Sequence, residues 1–243
     1  MQDFAFTPEA GGLLLVDKPL GWTSFDAVSK IRGAMRSVVG RRGFKVGHAG
    51  TLDPLASGLI IAYGPRTKEL PFLAGLEKTY IGTVTLGSTT PSYDLETAPV
   101  RHGPWEQLSE EDIRAAFGRF VGVVEQRPPL YSAKRHKGER GYHLAREGAK
   151  VEMPPVAVSI AALRVVAVRG PQVDFEARVG KGTYIRSLAH DIGQALGCGA
   201  HLSALRRTAI GSHRVEDALG PAAWAERIAP RLVEGPRAPS ERG

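Results

Sequence analysis

Apolar and polar positions along the chain predict several short strands. Two apolar runs, LLLV at 13–16 and LIIAY at 59–63, are typical of buried strands. Alternating apolar and polar residues at 79–87 predict a strand with one buried face. Two further stretches, 156–169 and 172–179, follow each other closely, and we expect them to form a strand pair.

Three stretches have the spacing of amphipathic helices. Thr23 or Ser24 caps the first, Ser109 with Asp112 resembles a capping box at the start of the second, and the third spans 184–196. The apolar positions expected to face inward are Phe25, Val28, Ile31, Met35 and Val38 in the first, Ile113, Ala116, Phe117 and Phe120 in the second, and Ile185, Leu188, Ile192 and Leu196 in the third.

These elements predict an α+β fold with a mixed, mostly antiparallel central sheet flanked by helices. Strands and helices do not alternate for long enough to indicate a doubly wound parallel sheet. We expect one domain over 1–225. The last stretch, 226–243, is rich in Pro, Arg and Gly and predicts a frayed tail.

Composition places the chain among globular proteins of the cytoplasm. Its 243 residues are 42% hydrophobic and 23% charged. No apolar run approaches the ~20 residues that a membrane helix needs, and acidic residues near the N-terminus argue against an export signal. The single cysteine, Cys198, excludes an intrachain disulfide and a multi-thiolate zinc site, which fits a reducing compartment.

The positive charge is concentrated in two segments. The formal net charge is +7. Residues 30–47 contain six Lys or Arg and no acid, and residues 127–150 contain seven Lys or Arg against two Glu. We expect 39–47 to be a flexible basic loop. Basic segments on a mildly acidic body suggest a surface for a polyanion such as RNA, although solvated surface charge is an alternative.

One carboxylate, Asp53, lies in the glycine-rich stretch GHAGTLDPLASG at 47–58. It could be the N-cap of a helix that has Pro54 at its first position. It could also be a functional carboxylate on a tight loop, where glycines let a ligand approach the main chain. The two interpretations are compatible, because a capping turn can also orient a side chain.

The sequence gives little support for a metal site, an ATP-binding loop or a serine or cysteine nucleophile. The pair His190-Asp191 has no further ligands at metal-binding spacing, so we expect no metal site. The chain has neither a GxxxxGK[ST] phosphate loop nor a nucleophile elbow, and Cys198 has no evident activating group. The turn GKGTY at 180–184 is either a simple turn or one that exposes Tyr184 and begins a helix bearing Arg186.

Several motifs, in order, resemble the TruB family of tRNA pseudouridine synthases over about residues 11–219. They are LLLVDKPLGWTSFDAV, GHAGTLDPLASGLI, KTYIGTVTLGSTTPSYDLE, RPPLYSA, GYHLAREG and KGTYIRSLAHDIGQALGCGAHLSALRRTAIG. The resemblance implies the pseudouridine synthase fold. It also implies isomerisation of uridine 55 in the T loop of tRNA, without cofactor or metal.

The resemblance also implies roles for individual residues. Asp53 is the essential carboxylate, acting either as a nucleophile or as the base that removes a C2′ proton, and the sequence leaves both open. Tyr80 stacks on the target base and helps to move its C5 proton. Tyr184 is a second pocket wall, and Arg186 is the basic partner of Asp53.

Three further positions follow from the same motifs. Leu205 resembles an apolar pocket wall, with an ordinary core leucine as the alternative. His48 resembles the histidine that enters the T loop in place of flipped bases. Lys18, followed by Pro19, matches a motif near the site and is expected to support the catalytic loop.

The implied partner is the T arm of tRNA, bound by a monomer. The target uridine must be flipped out of its loop, and the basic segments supply cations for the phosphates. Family members often carry a C-terminal PUA domain, whereas only about 25 residues follow Leu219. A T-arm folding chaperone that needs no chemistry, and a non-specific RNA binder, are the alternatives.

Overall fold

The fold is described from a computed structural model of the chain. It describes residues 12–39, 45–64, 67–132, 134–136, 138–147, 151 and 153–228. The strands are β1 (Gly12–Lys18), β2 (Gly47–His48), β3 (Ala56–Gly64), β4 (Lys78–Leu86), β5 (Ser88–Thr89), β6 (Val100–Arg101), β7 (Gly122–Gln126), β8 (Arg135–His136), β9 (Glu139–Arg140), β10 (Val156–Arg169), β11 (Gln172–Val179), β12 (Ala200–Ile210) and β13 (His213–Arg214). The helices are α1 (Ser24–Val39), α2 (Leu70–Gly75), α3 (Glu110–Gly118), α4 (Gly141–Arg146), α5 (Ile185–Ala195) and α6 (Pro221–Ile228), with 3₁₀ turns at Thr67–Glu69 and Val215–Asp217.

The chain divides into two compact units. The first combines residues 1–74 with 213–243, and the second comprises 75–212. The predicted domain over 1–225 therefore contains residues of both. The predicted tail at 226–243 begins inside α6, and its residues 229–243 lie outside the described part of the chain, as do residues 40–44 of the predicted basic loop.

The first unit is built on β3, which pairs with β1 and with β2, both antiparallel. Residues 59–62 of its apolar run are fully buried, as the sequence predicts. Helix α1 packs on α6 and β1, and the indole N–H of Trp224 in α6 donates to the carbonyl of Leu15 at 2.7 Å. The Thr23 hydroxyl accepts from the N–H of Asp26, whose carboxylate accepts from the N–H of Thr23, so Thr23 caps this helix.

One predicted core position of α1 is wrong. Val28, Ile31 and Met35 are buried, whereas Phe25 is 62% exposed. The guanidinium of Arg32 lies over the Phe25 ring, 5.4 Å from its centroid. Arg32 lies two helical turns after Phe25, so its guanidinium can stack on the exposed ring. Phe25 therefore makes a cation–π contact on the surface instead of packing in the core.

The second unit is a five-stranded antiparallel sheet in the order β12-β4-β11-β10-β7. Helix α3 packs on β10 and α5 packs on β12. The capping box predicted at Ser109 is present, and the inward residues of α3 are buried, although Phe120 follows the end of the helix and is half-buried. Leu196, predicted inward, is likewise a half-buried cap residue after α5.

Gly193 lets α5 approach β12 closely. A Cβ atom at this position would lie 2.1 Å from the amide nitrogen of Ala200, the first residue of β12. The helix backbone therefore sits against the start of the strand, and any larger residue would push them apart. Antiparallel strands with helices packed on them confirm the predicted α+β class, and parallel pairing occurs at isolated bridges such as Asp94–Leu202.

No described helix has both the length and the apolar character needed to span a membrane.

Candidate active site

Asp53 stands in a tight turn of the first unit. The N–H of Ala56 donates to the carbonyl of Asp53 at 3.0 Å, which makes Asp53 and Pro54 the first two residues of a β-turn. The chain then enters β3 rather than a helix, so the interpretation of Asp53 as a helix N-cap is wrong. Proline suits the second position of this turn because its ring fixes the required φ.

Helix α1 and the segment before it hold this turn from both sides. The hydroxyl of Ser24, the first residue of α1, accepts from the N–H of Leu52 at 2.8 Å and donates to its carbonyl at 3.1 Å. The N–H of Gly21 donates to the carbonyl of Pro54 at 2.8 Å. The backbone on either side of Asp53 is thereby fixed, and the half-buried carboxylate has a defined position in its unit.

Lys18 is entirely buried at the end of β1. Its Nζ atom donates to the carbonyl of Trp22 at 2.6 Å and to that of Pro19 at 3.0 Å. The ammonium group therefore binds two carbonyls of the loop that leads to Ser24. His48, in β2, pairs with Ala62 of β3 and is half-buried.

In the second unit, the register of the sheet brings Tyr80 and Leu205 to one face. Tyr80 in β4 lies opposite Arg207 in β12, and Gly82 lies opposite Leu205. Directly opposed residues of antiparallel strands share a face, so these side chains lie on the same face as Gly82, where the Phe175 ring fills the space that a Cβ would take. Tyr80 is buried and Leu205 is half-buried.

The same buried face carries unusual positive charge. Arg207 is 1% exposed and Lys78 is also buried, with its Nζ donating to the carbonyl of Leu76 at 2.6 Å. Burial lowers the pKa of Lys78 to about 8, and the charges of Arg207 and Lys181 add to the effect. Lys78 and Arg207 therefore place two buried basic side chains on the face that carries Tyr80.

The side chain of Gln126 fixes the start of α5. Its carbonyl oxygen accepts from the N–H of Tyr184 at 2.8 Å, and its amide donates to the carbonyl of Tyr184 at 3.1 Å. Tyr184 is the half-buried residue that begins the helix, and Arg186 follows in its first turn. The GKGTY turn therefore ends at a Tyr184 whose main chain is fixed by Gln126, and it leads into the helix that bears Arg186.

Arg186 forms a buried ion pair that sequence reasoning missed. Its Nε atom lies 3.6 Å from Oδ2 of Asp94, and the two side chains are 4% and 7% exposed. Its Nη1 also donates to the carbonyl of Ser92 at 3.2 Å. The guanidinium is thus oriented before any substrate binds. Asp94 lies in the motif PSYDLE, but nothing in the spacing indicates that it meets an arginine 92 positions later.

Within the described ranges, no three His, Cys, Asp or Glu side chains are grouped so that they could hold a metal ion. The pair His190-Asp191, at which the sequence predicts no metal site, lies on α5.

Comparison with known proteins assigns the chain to a class and a family. The model "TruB family pseudouridylate synthase (N terminal domain)" matches residues 36–185, and "tRNA pseudouridylate synthase B C-terminal domain" matches residues 186–220. Both describe pseudouridylate synthases. The chain belongs to the TruB family of these enzymes, as its motifs predict.

Individual relatives agree with this assignment. Over 214 residues the chain is 48% identical to "tRNA pseudouridine synthase B" of Chlorobium luteolum, covering 87% of this chain and 73% of the relative. It is 44% identical over 218 residues to the protein of the same name from Flavobacterium johnsoniae, covering 88% and 95%.

A solved structure shares the fold. The crystal structure of a Cbf5-Nop10-Gar1 complex contains a chain with a TM-score of 0.63 and 30% identity, and the match covers 90% of this chain. This chain spans 57% of the length of that solved chain. The predicted pseudouridine synthase fold is confirmed.

Proposed function

We propose that the protein is a tRNA pseudouridine synthase that isomerises uridine 55 in the T loop. The observation that carries the proposal is that Arg186, at the start of α5, is buried and oriented by an ion pair with Asp94, in a chain of the TruB family. A guanidinium that is fixed in advance can hold a carboxylate without reorganising during the reaction. We assign that carboxylate to Asp53, with Arg186 as its counter-ion.

The reaction breaks the C1′–N1 bond of the target uridine, turns the detached base and forms a C1′–C5 bond. The C5 proton is lost and N1 gains a proton, so the product is an isomer and no electrons are exchanged. Asp53 either attacks as a nucleophile or removes the C2′ proton to give a glycal. Tyr80 stacks on the base and assists proton transfer at C5.

Substrate binding requires the target to be flipped out of a folded loop, at a cost of a few kcal/mol. In this proposal, Tyr80 and Tyr184 stack on the base, Leu205 closes the pocket, and His48 fills the space left in the T loop. The cations of 30–47 and 127–150 contact the phosphates of the T arm. Lys18 supports the loop of Asp53. The protein acts as a monomer in the cytoplasm.

A synthetic T-arm stem-loop with tritium at C5 of its uridines tests this function. We expect release of one tritium per RNA and a single pseudouridine by nucleoside mass spectrometry. The same hairpin with cytidine at position 55 is the matched control and should release none. Equal release from both hairpins, or no release from either at high enzyme concentration, contradicts the proposal.

A tRNA-folding chaperone activity accompanies the proposal, because flipping the target already opens the T loop. The basic segments support it, since phosphate contacts need no catalytic carboxylate. An Asp53→Asn variant should still accelerate folding of a misfolded tRNA, measured by recovery of aminoacylation. Loss of acceleration in this variant would reject a chaperone role that is independent of chemistry.

A further inference from the structure

The turn before Asp94 has a strained backbone. Tyr93 has φ of +64°, and it is the one non-glycine residue with a positive φ among the described residues. This left-handed conformation costs an L-residue ~1–2 kcal/mol, and a bulky side chain there needs compensating contacts. A tyrosine at such a position, where glycine would be free of strain, indicates that its ring is used.

The ring of Tyr93 stacks on His190 of α5. The ring centroids are 4.0 Å apart and the planes are inclined by 15°. The adjacent residue, Asp94, contacts Arg186 of the same helix. His190 lies four residues after Arg186, so both partners are on one face of α5, one turn apart. Two consecutive residues of the turn therefore meet two consecutive turns of the helix.

This pairing depends on the left-handed conformation. In extended backbone, successive side chains point to opposite sides, so residues 93 and 94 could not both meet α5. The backbone is held by the N–H of Leu202 in β12, which donates to the carbonyl of Tyr93 at 2.9 Å. The N–H of Tyr93 donates to the carbonyl of Thr90 at 3.1 Å. Strand β12 thus fixes the main chain of the turn, while the side chains of Tyr93 and Asp94 contact α5.

The His190 ring contacts Tyr93 by stacking. Its Nδ1 atom is buried and finds no hydrogen-bond partner among the residues that the structure describes. Burial lowers the pKa of His190, and the nearby His102 adds to the effect, so both favour the neutral form of the ring. A neutral aromatic ring stacked face to face fixes the distance between the turn and the helix without adding a charge beside Arg186.

From this geometry we infer that Tyr93 and His190 are positioning residues, a stacked pair that sets Asp94 against Arg186 and thereby orients the catalytic guanidinium. The inference rests on the proposed function, because it assigns to Arg186 the role of counter-ion to the reacting carboxylate. Neither ring needs to touch the substrate. Loss of the stack should lower the rate of the chemical step and leave RNA binding unchanged.

Tyr93→Gly tests the contribution of the ring separately from that of the backbone conformation. Glycine adopts φ of +64° without strain, so the turn should keep its conformation while the stack is lost. Tyr93→Phe keeps the stack and is the matched control. His190→Ala removes the other ring and places a good helix former in α5. For each variant we would measure the single-turnover rate of pseudouridine formation, the Kd for the T-arm hairpin and the thermal unfolding midpoint.

We expect Tyr93→Gly and His190→Ala each to lower the single-turnover rate about threefold to tenfold, with Kd within twofold of wild type. Tyr93→Phe should retain the wild-type rate. The double variant Tyr93→Gly/His190→Ala should be no slower than the slower single variant, because the second change removes a contact already lost. If Tyr93→Gly fails to fold, His190→Ala and Tyr93→Phe decide the question.

A wild-type rate in His190→Ala or in folded Tyr93→Gly would overturn the inference. So would a Tyr93→Phe variant as slow as Tyr93→Gly, or additive losses in the double variant. A rate that falls only in proportion to a weakened Kd would show a structural role instead. Wild-type protein is assayed in parallel, and absence of product from it would contradict the proposed function itself rather than the role of the stacked pair.

Discussion

The Arg186–Asp94 ion pair should be essential to both the stability and the chemistry of the protein, and Asp94→Asn tests this. The substitution keeps the shape of the side chain and removes its charge. It leaves the Arg186 guanidinium buried with the carbonyl of Ser92 as a neutral acceptor. Removing one charge of a buried ion pair destabilises the folded state, and a guanidinium that is less firmly oriented should hold the catalytic carboxylate less well.

The geometry sets the size of the effect. At the observed 3.6 Å, the Coulomb energy of the pair is ~5 kcal/mol for an effective dielectric constant of about 20. Breaking a buried pair by removing one partner typically costs ~3–5 kcal/mol. Since asparagine retains a polar oxygen near the guanidinium, we expect ~3 kcal/mol. For a protein of this size that lowers the unfolding midpoint by ~6–12 °C.

Urea denaturation and single-turnover kinetics on the T-arm hairpin measure the two consequences. The matched control is Glu110→Gln, which breaks the 2.5 Å pair with Arg114 on the surface of α3, where the side chains are about half exposed. An exposed pair should contribute below ~1 kcal/mol despite its shorter distance, and it should not affect the rate. If Asp94→Asn were no more destabilising than Glu110→Gln, or as active as wild type, the assignment of Arg186 would be refuted.

Four other substitutions test separate parts of the structure. Gly193→Ala should destabilise by ~1–3 kcal/mol, because its Cβ would meet Ala200 at 2.1 Å, whereas Gly33→Ala in α1, with open space around it, should stabilise by ~0.5–1 kcal/mol; urea denaturation of both variants decides. Burial raises the pKa of Asp191 to about 6, so its ionised form costs folding free energy increasingly from pH ~4 to ~6 and fully above that. The full cost is ~3 kcal/mol, reduced by solvent screening to ~1–2 kcal/mol. Asp191→Asn should therefore raise the unfolding midpoint by ~2–8 °C at pH 7.5 and hardly at pH 4, and an equal gain at both pH values would contradict the raised pKa. Lys18→Met should cost ~2–4 kcal/mol because two loop carbonyls lose their donor, and unchanged thermal stability would show that the ammonium does not hold this loop.

Local patterns predicted the elements well because burial, either of one face or of a whole apolar run, leaves a periodic or a continuous apolar signal in the sequence. The apolar run of β3 and the long pair β10 and β11 lie where periodicity places them, and the Ser109 capping box forms as written. Phe25 was misplaced because helical spacing cannot distinguish a core ring from one covered by Arg32 on the surface. Asp53 was open to misinterpretation because Asp-Pro begins turns as readily as helices.

The arrangement around Arg186 could not be predicted from spacing. Tyr93 and Asp94 reach α5 because Tyr93 has a left-handed backbone and Asp94 forms a bridge to Leu202 of β12. This bridge joins residues that are distant in sequence. Motif resemblance indicated Arg186 as the basic partner of Asp53, but it did not reveal the buried ion pair between Arg186 and Asp94. Similarly, Ser24 was recognised as a helix start, whereas its two hydrogen bonds to Leu52 appear only when α1 and the loop fold together.

Pseudouridine formation by Asp53→Asn protein is the most direct test of the account. The substitution keeps the size of the side chain and removes its charge, while the bonds that Ser24 and Gly21 make around the turn involve the backbone of other residues. The account predicts that the variant folds, binds the T-arm hairpin with a Kd within about threefold of wild type, and forms no pseudouridine over many wild-type half-times. Turnover by this variant at a rate comparable to that of wild type would contradict it.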